Sequence, residues 1–433
     1  MSETTGHSSQ IQSLQNENQR LKRAVDELSV LNELARAIGG SANSEEIMQT
    51  IIRRSMRAVN AEQGVITLVD RDSNNPMKTL VRAMVSSSEH EEFHLTQALL
   101  GWMHLNKKPL LINDPRSDER FRGIAWDESV RTLLCVPMIV KSELKGVITL
   151  SNKKEGKPFT DDDQRLLAII AVQSGQVIEN ARLNEREKQL LKMQEEVRLA
   201  AKIQAELLPK EAPVITGYDI AGQSIPAQVV GGDYYDFIPM NDSRIAICLG
   251  DVTGKGLPAS LLMANVQATL RSQSFIHTSA QKCVERSNAF LFQSTSAEKF
   301  VTLFYGILDF GQHTFSFSNA GHDHPFLIQL DQQLVRLKTG GIMLGMMETF
   351  PFEEETLSLD SGSLLVMYSD GIAEAMNANH EQFGEQRIAE VLQSHQALPA
   401  AQIADALMHA AKTHTGTAPQ SDDMTIVVLK RLS

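Results

Sequence analysis

A heptad pattern in residues 176–208 places the strongest constraint on what this chain can fold into. Apolar side chains recur there at the spacing of one helix face, within a highly charged segment, as solvated helices require. They are Leu183, Leu190, Met193, Val197, Ala200 and Leu207. Pro209 stops the pattern, and Gly217 then marks a boundary. We therefore expect a helical linker over residues 181–210 that joins two separate domains.

The linker helix is expected to pair with the same helix of a second copy, because an exposed apolar stripe favours a two-stranded coiled coil. Residues 1–29 carry a shorter seam of the same kind, with Asn18 at one core position, which favours a dimer in a fixed register. Both patterns predict a homodimer. The alternatives are a single exposed linker helix and, for residues 1–29, a monomeric amphipathic helix packed on its own domain.

Composition excludes several classes of function. The 433 residues are enough for two or three domains, and the net charge of −12 argues against nucleic acid or anionic lipid as the main partner. No apolar run approaches the roughly 18–20 residues that span a bilayer. Residues 1–10 are polar, unlike a secretory signal. The three cysteines lack the spacing of a zinc site. We expect a cytoplasmic protein that binds neither nucleic acid nor membrane.

Strand and helix patterns differ on the two sides of the linker. Residues 30–180 read as helices, then about five short strands, then a helix, which is typical of an α/β domain with helices packed on one sheet. Residues 211–433 contain many strands with few interspersed helices. That second pattern predicts two packed sheets flanked by helices.

Aspartates stand beside glycines or strand ends four times in the C-terminal half. The four segments are Gly231-Gly232-Asp233, Gly250-Asp251, Ser369-Asp370-Gly371 and Ser421-Asp422-Asp423. A carboxylate at the end of a buried strand is costly unless it is paired or binds a cation. A set of oxygen ligands without histidine or cysteine suits Mg²⁺ or Mn²⁺, and two such ions can clamp a phosphoryl group. Each Asp-Gly pair alone is a common turn, so together they indicate only a candidate metal hydrolase.

These segments, in this order, resemble the SpoIIE/RsbU branch of the bacterial 2C-type (PPM) phosphatases. The resemblance extends over about 230 residues. Its motifs are Ala201-Lys202-Ile203-Gln204, Leu207-Leu208-Pro209, Val230-Gly231-Gly232-Asp233-Tyr234-Tyr235-Asp236-Phe237, Gly250-Asp251-Val252-Thr253-Gly254-Lys255-Gly256, Asn319-Ala320-Gly321-His322, Tyr368-Ser369-Asp370-Gly371 and Ser421-Asp422-Asp423-Met424-Thr425. The resemblance implies an αββα sandwich with two Mn²⁺ or Mg²⁺ ions between the sheets. It also implies a protein-serine/threonine phosphatase, a phosphoric monoester hydrolase that attacks with metal-activated water.

The resemblance also implies roles for individual residues. The metal ligands and catalytic residues would be Asp233, Asp251, Asp370 and Asp422, with the backbone carbonyl of Val252 assisting. Second-shell contacts would come from Asp236, Asp423 and Gly371. The chain departs from eukaryotic 2C-type enzymes because Val252-Thr253 stands where they have Gly-His, and because no arginine closely precedes Asp233. Neither departure removes a ligand, but the acid for the leaving group stays unassigned.

Residues 30–180 resemble a GAF domain. The supporting segments are Leu133-Leu134-Cys135-Val136-Pro137-Met138, Gly146-Val147-Ile148, and Asn152-Lys153 followed by Phe159-Thr160-Asp161-Asp162-Asp163. This pattern also occurs in GAF domains that bind no cyclic nucleotide, so it indicates the fold better than a ligand. The sequence leaves two alternatives for what this domain binds, a small molecule or only a protein partner.

The combined prediction is a multidomain α/β and α+β chain with a GAF sensor, a coiled-coil linker and an αββα phosphatase domain. The expected substrate is a phosphorylated STAS-domain anti-anti-sigma protein, because that is the usual substrate in the resembled family. The alternative is a non-catalytic signalling scaffold or ligand receptor with a degenerate phosphatase domain. The intact set of four aspartates argues against that alternative.

Overall fold

The computed structural model describes residues 14, 17–18, 44–69, 77–84, 97–124, 126–295, 298–329 and 333–432. The predicted helix over residues 1–29 lies outside these ranges except at residues 14, 17 and 18, which are helical. Between Leu191 and Lys192 the chain divides into two compact units. Within the described ranges, no helix is long and apolar enough to cross a membrane.

The front unit is built on one antiparallel sheet with strand order β2-β1-β5-β4-β3. Its elements are α1 (Ser44–Ala58), β1 (Ala61–Val69), β2 (Met77–Met84), α2 (Gln97–Asn106), β3 (Leu110–Ile112), β4 (Leu133–Val140) and β5 (Glu143–Lys153). Ile51 and Ile52 of α1 pack with Leu134 and Ile148 of the sheet in one buried cluster. A second cluster joins α2 to β3, β4 and β5. Helices therefore pack on the sheet as predicted.

The Asn152-Lys153 pair stabilises this front unit. Asn152 is buried with a φ of 57°, its Oδ1 accepts a hydrogen bond from the Arg131 N–H at 2.8 Å, and its Nδ2 donates to the Ser129 carbonyl at 2.7 Å. The Lys153 ammonium pairs with Asp163 at the start of the next helix. Both motif side chains are therefore occupied by contacts within the chain, Asn152 with the backbone of Ser129 and Arg131 and Lys153 with Asp163, so the motif indicates a fold rather than a ligand.

A single helix, α3 (Asp161–Leu207), follows and is 47 residues long. Three acidic residues in its first turn complement the helix dipole. Its early residues Leu167, Ile170 and Ile178 belong to the front core. The sequence predicted a helix at the end of residues 30–180 and a helical linker over residues 181–210, whereas the structure shows one helix without a break between them. Farther along, the heptad residues Leu183, Leu190 and Met193 are 53%, 61% and 64% exposed, so the predicted coiled-coil pairing stays a prediction.

The C-terminal unit contains two packed sheets. The first has strand order β13-β10-β9-β8-β7, with β14 also pairing with β10, and the second has the order β12-β11-β15-β16-β6. The elements are β6 (Tyr218–Ile225), β7 (Tyr234–Asn241), β8 (Arg244–Val252), α4 (Leu257–Ile276), α5 (Ala280–Ser294), β9 (Val301–Asp309), β10 (Thr314–Ala320), β11 (Phe326–Ile328), β12 (Leu334–Arg336), β13 (Gly340–Gly341), β14 (Glu355–Ser358), β15 (Leu364–Tyr368), α6 (Asp370–Ala373), α7 (Gly384–His395), α8 (Ala400–Thr415) and β16 (Met424–Arg431).

Three hydrophobic cores define the layers of this unit. The central core takes alternate residues from both sheets, such as Phe237 and Phe304 from the first and Met367 and Val427 from the second. A second core packs α4 and α5 on the outer face of the first sheet. A third packs α7 and α8 on the outer face of the second sheet. The predicted αββα sandwich is therefore confirmed.

Replacement of Asn152 by alanine tests the role of this side chain in the front unit. We expect Asn152→Ala to lower the free energy of unfolding by about 2–4 kcal/mol, because buried backbone groups lose their partners and alanine is strained at positive φ. Urea denaturation followed by tryptophan fluorescence measures this loss, since both tryptophans, Trp102 and Trp126, lie in the front unit.

Asn60→Ala is the matched control for this variant. Asn60 has the same φ of 57° but is exposed, so its loss isolates the backbone strain from the hydrogen bonds. Equal losses of stability in the two variants would contradict a stabilising role for the hydrogen bonds of Asn152.

Candidate metal centre

Strand pairing brings the four acidic segments to one end of the sandwich. Asp233 directly precedes β7, and the antiparallel register of Tyr234 with Gly250 places it beside Asp251 near the end of β8. In the other sheet, Asp370 follows the end of β15 and Asp422 precedes β16, its antiparallel neighbour. The start of one strand and the end of its antiparallel partner share a sheet edge. Because the sheets pack face to face, the two edges adjoin.

Asp233 and Asp251 form the buried part of this acidic cluster. Burial, together with the charge of Asp251, raises the pKa of Asp233 well above its usual value. The Asp233 Oδ2 atom is buried without a hydrogen-bond partner. Burial, followed by the charges of Asp370 and Asp422, raises the pKa of Asp251 to about 7. Two carboxyls in this environment are costly to ionise unless a cation compensates them.

Asp370 and Asp422 complete the cluster at its more open side. Burial and the nearby charge of Asp422 raise the pKa of Asp370. Asp422 differs from the others because both of its oxygens have partners. Its Oδ1 accepts a hydrogen bond from the Asp423 N–H at 2.9 Å, and its Oδ2 lies 2.8 Å from the Lys255 ammonium. A lysine of the same domain thus neutralises part of the acidic cluster.

Asp423 holds the loop that carries Asp233. Its Oδ1 accepts a hydrogen bond from the Ala227 N–H at 2.7 Å, and its Oδ2 accepts one from the Gly232 N–H at 2.6 Å. Gly371 is required because a Cβ there would lie 2.0 Å from the Asp423 carbonyl oxygen. Asp423 therefore fixes the geometry of the loop before Asp233, and Gly371 allows two backbone segments to approach closely.

Asp236 lies on the other face of β7, toward α4. It is fully buried, and Arg271 of α4 contacts both of its oxygens, at 2.7 and 3.0 Å. The Tyr234 hydroxyl donates to it at 2.6 Å. The predicted second-shell or water-mediated contact of Asp236 with the ions stays a prediction. Its carboxylate attaches α4 to β7, three residue pairs along the β7–β8 ladder from Asp233 and Asp251.

The oxygen donors around Asp233 fit a hard divalent cation. A Cβ on Gly232 would lie 2.9 Å from the Val252 carbonyl oxygen and 3.4 Å from Asp251 Oδ1, so both oxygens closely approach the backbone beside Asp233. Across the described part of the chain, no three or more carboxylates, histidines or cysteines form a group that could hold a metal ion as they stand.

Sequence reasoning missed the roles of Lys255 and Arg271. Lys255 stands inside the quoted Gly250–Gly256 motif, but a lysine between glycines gives no indication of which carboxylate it contacts. Arg271 lies in an apolar helix pattern 35 residues after Asp236, and only the packing of α4 on β7 brings the two together.

Comparisons with known proteins agree with this geometry. Residues 241–432 match the model of the stage II sporulation protein E (SpoIIE) family, and residues 41–179 match that of the GAF domain. Phosphoserine phosphatase RsbU of Bacillus subtilis (strain 168) is 32% identical over 187 residues, or 42% of this chain and 55% of its own length. Protein IcfG of Synechocystis sp. is 28% identical over 263 residues, or 54% of this chain and 41% of its own length. The chain thus spans about half the length of these relatives.

Among solved structures, the SiaA-PP2C domain of Pseudomonas aeruginosa matches with a TM-score of 0.50 at 21% identity, covering 56% of this chain and 98% of that domain. The αββα sandwich and its acidic edge thus define a PP2C-type fold. More particularly, the C-terminal unit is similar to the SpoIIE family over residues 241–432, and the front unit is similar to the GAF domain over residues 41–179. The resemblance predicted from the sequence is confirmed.

The raised pKa of Asp251 predicts a pH dependence of stability in chelator-treated protein. Its pKa is about 7 in the folded chain against 3.8 ordinarily, so the folded state holds an extra proton between these values. The stabilisation that this proton gives is present at low pH and lost as the pH rises through about 7. We expect the free energy of unfolding of Asp251→Asn, relative to that of the wild type, to increase by about 2–3 kcal/mol as the pH rises from 5 to 8.

Near-ultraviolet circular dichroism of tyrosine in urea measures this change, because all five tyrosines lie in the C-terminal unit. Asp309→Asn is the control: Arg244 lowers the pKa of Asp309, so this variant should gain nothing as the pH rises. If the stability difference between Asp251→Asn and the wild type were constant across this pH range, the raised pKa of Asp251 would be refuted.

Proposed function

We propose that this chain is a metal-dependent protein serine/threonine phosphatase whose activity is regulated through its GAF domain. The observation that carries the proposal is the convergence of aspartates from four distant segments at one edge of a PP2C-type sandwich. Burial and mutual repulsion raise the pKa of three of them, Asp233, Asp251 and Asp370. Such repulsion is retained where cations bind.

The ligands would be Asp233, Asp251, Asp370 and Asp422, with the carbonyl oxygen of Val252, and they would hold two Mn²⁺ or Mg²⁺ ions. Bound ions of this kind supply an activated water and neutralise phosphoryl charge. The chain's own contribution is position. Ser369 Oγ donates to the Asp423 carbonyl at 3.1 Å and accepts from the Thr425 N–H at 2.9 Å, which fixes the Asp370 segment against the Asp422 segment. No nucleophilic side chain of the protein is needed.

The substrate we propose is a phosphoserine or phosphothreonine on a STAS-domain protein. The support is similarity: RsbU is named a phosphoserine phosphatase, and it shares 32% identity with this chain over the aligned residues. A non-catalytic scaffold is the competing function. It would keep the fold but have no use for the costly buried carboxylates.

Substitution of Asp251 or Asp370 tests the catalytic proposal. With Mn²⁺, we expect the wild type to release phosphate from a phosphorylated STAS protein and from para-nitrophenyl phosphate. Asp251→Asn and Asp370→Asn should each lower kcat at least about a hundredfold, because each removes a charge that holds an ion. Chelation of the metal should do the same to the wild type.

Asp309→Asn is the matched control for these variants. It makes the same chemical change at the far end of the sheet that carries Asp251, in an ion pair with Arg244, and should retain full activity. A wild-type protein that binds Mn²⁺ but releases no phosphate from either substrate would favour the scaffold.

Regulation is proposed to reach the acidic cluster through the end of α3. Gln204 Nε2 donates to the Gly231 carbonyl at 2.6 Å, and the Gly231 N–H donates to Gln204 Oε1 at 3.1 Å. Gln267 of α4 donates to the Leu207 carbonyl at 3.0 Å. Gly231 stands two residues before Asp233, so a rotation of α3 would move the loop that carries this carboxylate.

The exposed heptad stripe of α3 supports a homodimer in which two such helices pair. Leu183, Leu190 and Met193 are more than half exposed in one copy, and pairing would remove them from water. A signal at the GAF domain would then change the crossing angle or register of the pair. A small-molecule ligand of the GAF domain stays a prediction.

Insertions near Glu187 test this coupling. One added residue rotates the following helix by about 100°, so we expect it to change basal phosphatase activity at least about fivefold. An insertion of seven residues restores the heptad phase and should keep the activity within about twofold of the wild type. Light scattering checks that both variants remain dimers. Unchanged activity in the one-residue variant would contradict coupling through α3.

A further inference from the structure

The side chain of Lys255 contacts the acidic cluster directly. Its ammonium lies 2.8 Å from Asp422 Oδ2 and donates to the Ser421 carbonyl at 2.6 Å. Asp422 is the carboxylate of the four that is paired in this way, whereas Asp233 Oδ2 has no partner. The lysine therefore occupies the oxygen that the proposed function assigns to a metal ion.

The backbone around Lys255 allows this side chain to leave. Gly254 and Gly256 flank it with φ values of 100° and 70°, a conformation open to glycine at little cost. The Lys255 side chain is half exposed, so its ammonium can turn into water without crossing the protein interior. An ion pair at this exposure is held weakly compared with a divalent ion among several carboxylates.

We propose that Lys255 is an internal counter-ion of Asp422 that a divalent cation must displace, so that this lysine lowers the affinity of the centre for its metal. This inference rests on the proposed function, because it assigns Asp422 to the metal set. In the metal-free protein Lys255 neutralises Asp422 and joins the loop after β8 to the loop before β16. In the loaded protein that neutralisation comes from the ion.

Titration of the chelator-stripped full chain with Mn²⁺, followed by calorimetry or by the electron paramagnetic resonance of free Mn²⁺, tests this inference. We expect Lys255→Gln to bind Mn²⁺ about three- to tenfold more tightly than the wild type, because a competing positive charge is removed. Lys255→Met should show the same gain, and Lys255→Arg, which keeps the charge, should stay near the wild-type value.

Lys299→Gln is the matched control, because Lys299 Nζ lies 3.2 Å from the place a Cβ on Gly254 would take, against the same loop. It should change the affinity less than about twofold. Melting temperature gives a second measure. Without Mn²⁺, Lys255→Gln should melt at a lower temperature than the wild type. At saturating Mn²⁺, the two proteins should melt at the same temperature, whereas loss of a merely structural lysine would lower the melting temperature equally in both conditions.

Three outcomes would overturn the inference: unchanged or weaker Mn²⁺ binding by Lys255→Gln, an equal gain in Lys299→Gln, or equal melting losses with and without Mn²⁺. These outcomes are distinguishable from failure of the proposed function. If the wild type binds no Mn²⁺, the metal centre itself is refuted and the inference falls with it. If the wild type binds Mn²⁺ and Asp370→Asn does not, while Lys255→Gln matches the wild type, the inference alone fails.

Discussion

Repulsion among carboxylates at the joined edge of two sheets is the constraint on which the rest of the C-terminal unit depends. Asp233 and Asp251 are brought together by antiparallel pairing of β7 and β8, and the second sheet adds Asp370 and Asp422. A fold selected for stability alone would replace such a cluster by apolar residues. Much of the surrounding structure restrains these charges: Asp423 fixes one loop, and Gly371 allows two segments to touch.

The fold was largely predictable because its patterns are local and redundant. Alternating strands, the proline after Leu207 and the motif of Asn152 and Lys153 each indicate the same arrangement of domains. The unbroken helix α3 was predicted in two parts, because the residues that pack on the front sheet and the exposed heptad residues follow different apolar patterns. Both patterns belong to one helix, since no residue between Asp161 and Leu207 stops it.

The site was predictable to a lesser degree. Four aspartates beside strand ends could be found from the sequence, because each segment has its own local pattern. The partners of those aspartates could not, since they depend on packing between distant elements. Asp236 illustrates this: nothing in its motif indicated that Arg271, from the helix packed on β7, contacts both of its oxygens. Lys255 is a similar case, because its contact with Asp422 joins two segments that lie 167 residues apart in the sequence.

The unbroken course of α3 also limits how proteins of this design can diverge. The stretch from Gln176 to Leu207 contains neither glycine nor proline, so no kink is expected there that could compensate for an added residue. Every change of length there alters the phase of Gln204 within the heptad pattern of α3. Descendants of this chain would therefore be expected to vary in linker composition far more freely than in linker length, and to vary in length by whole heptads.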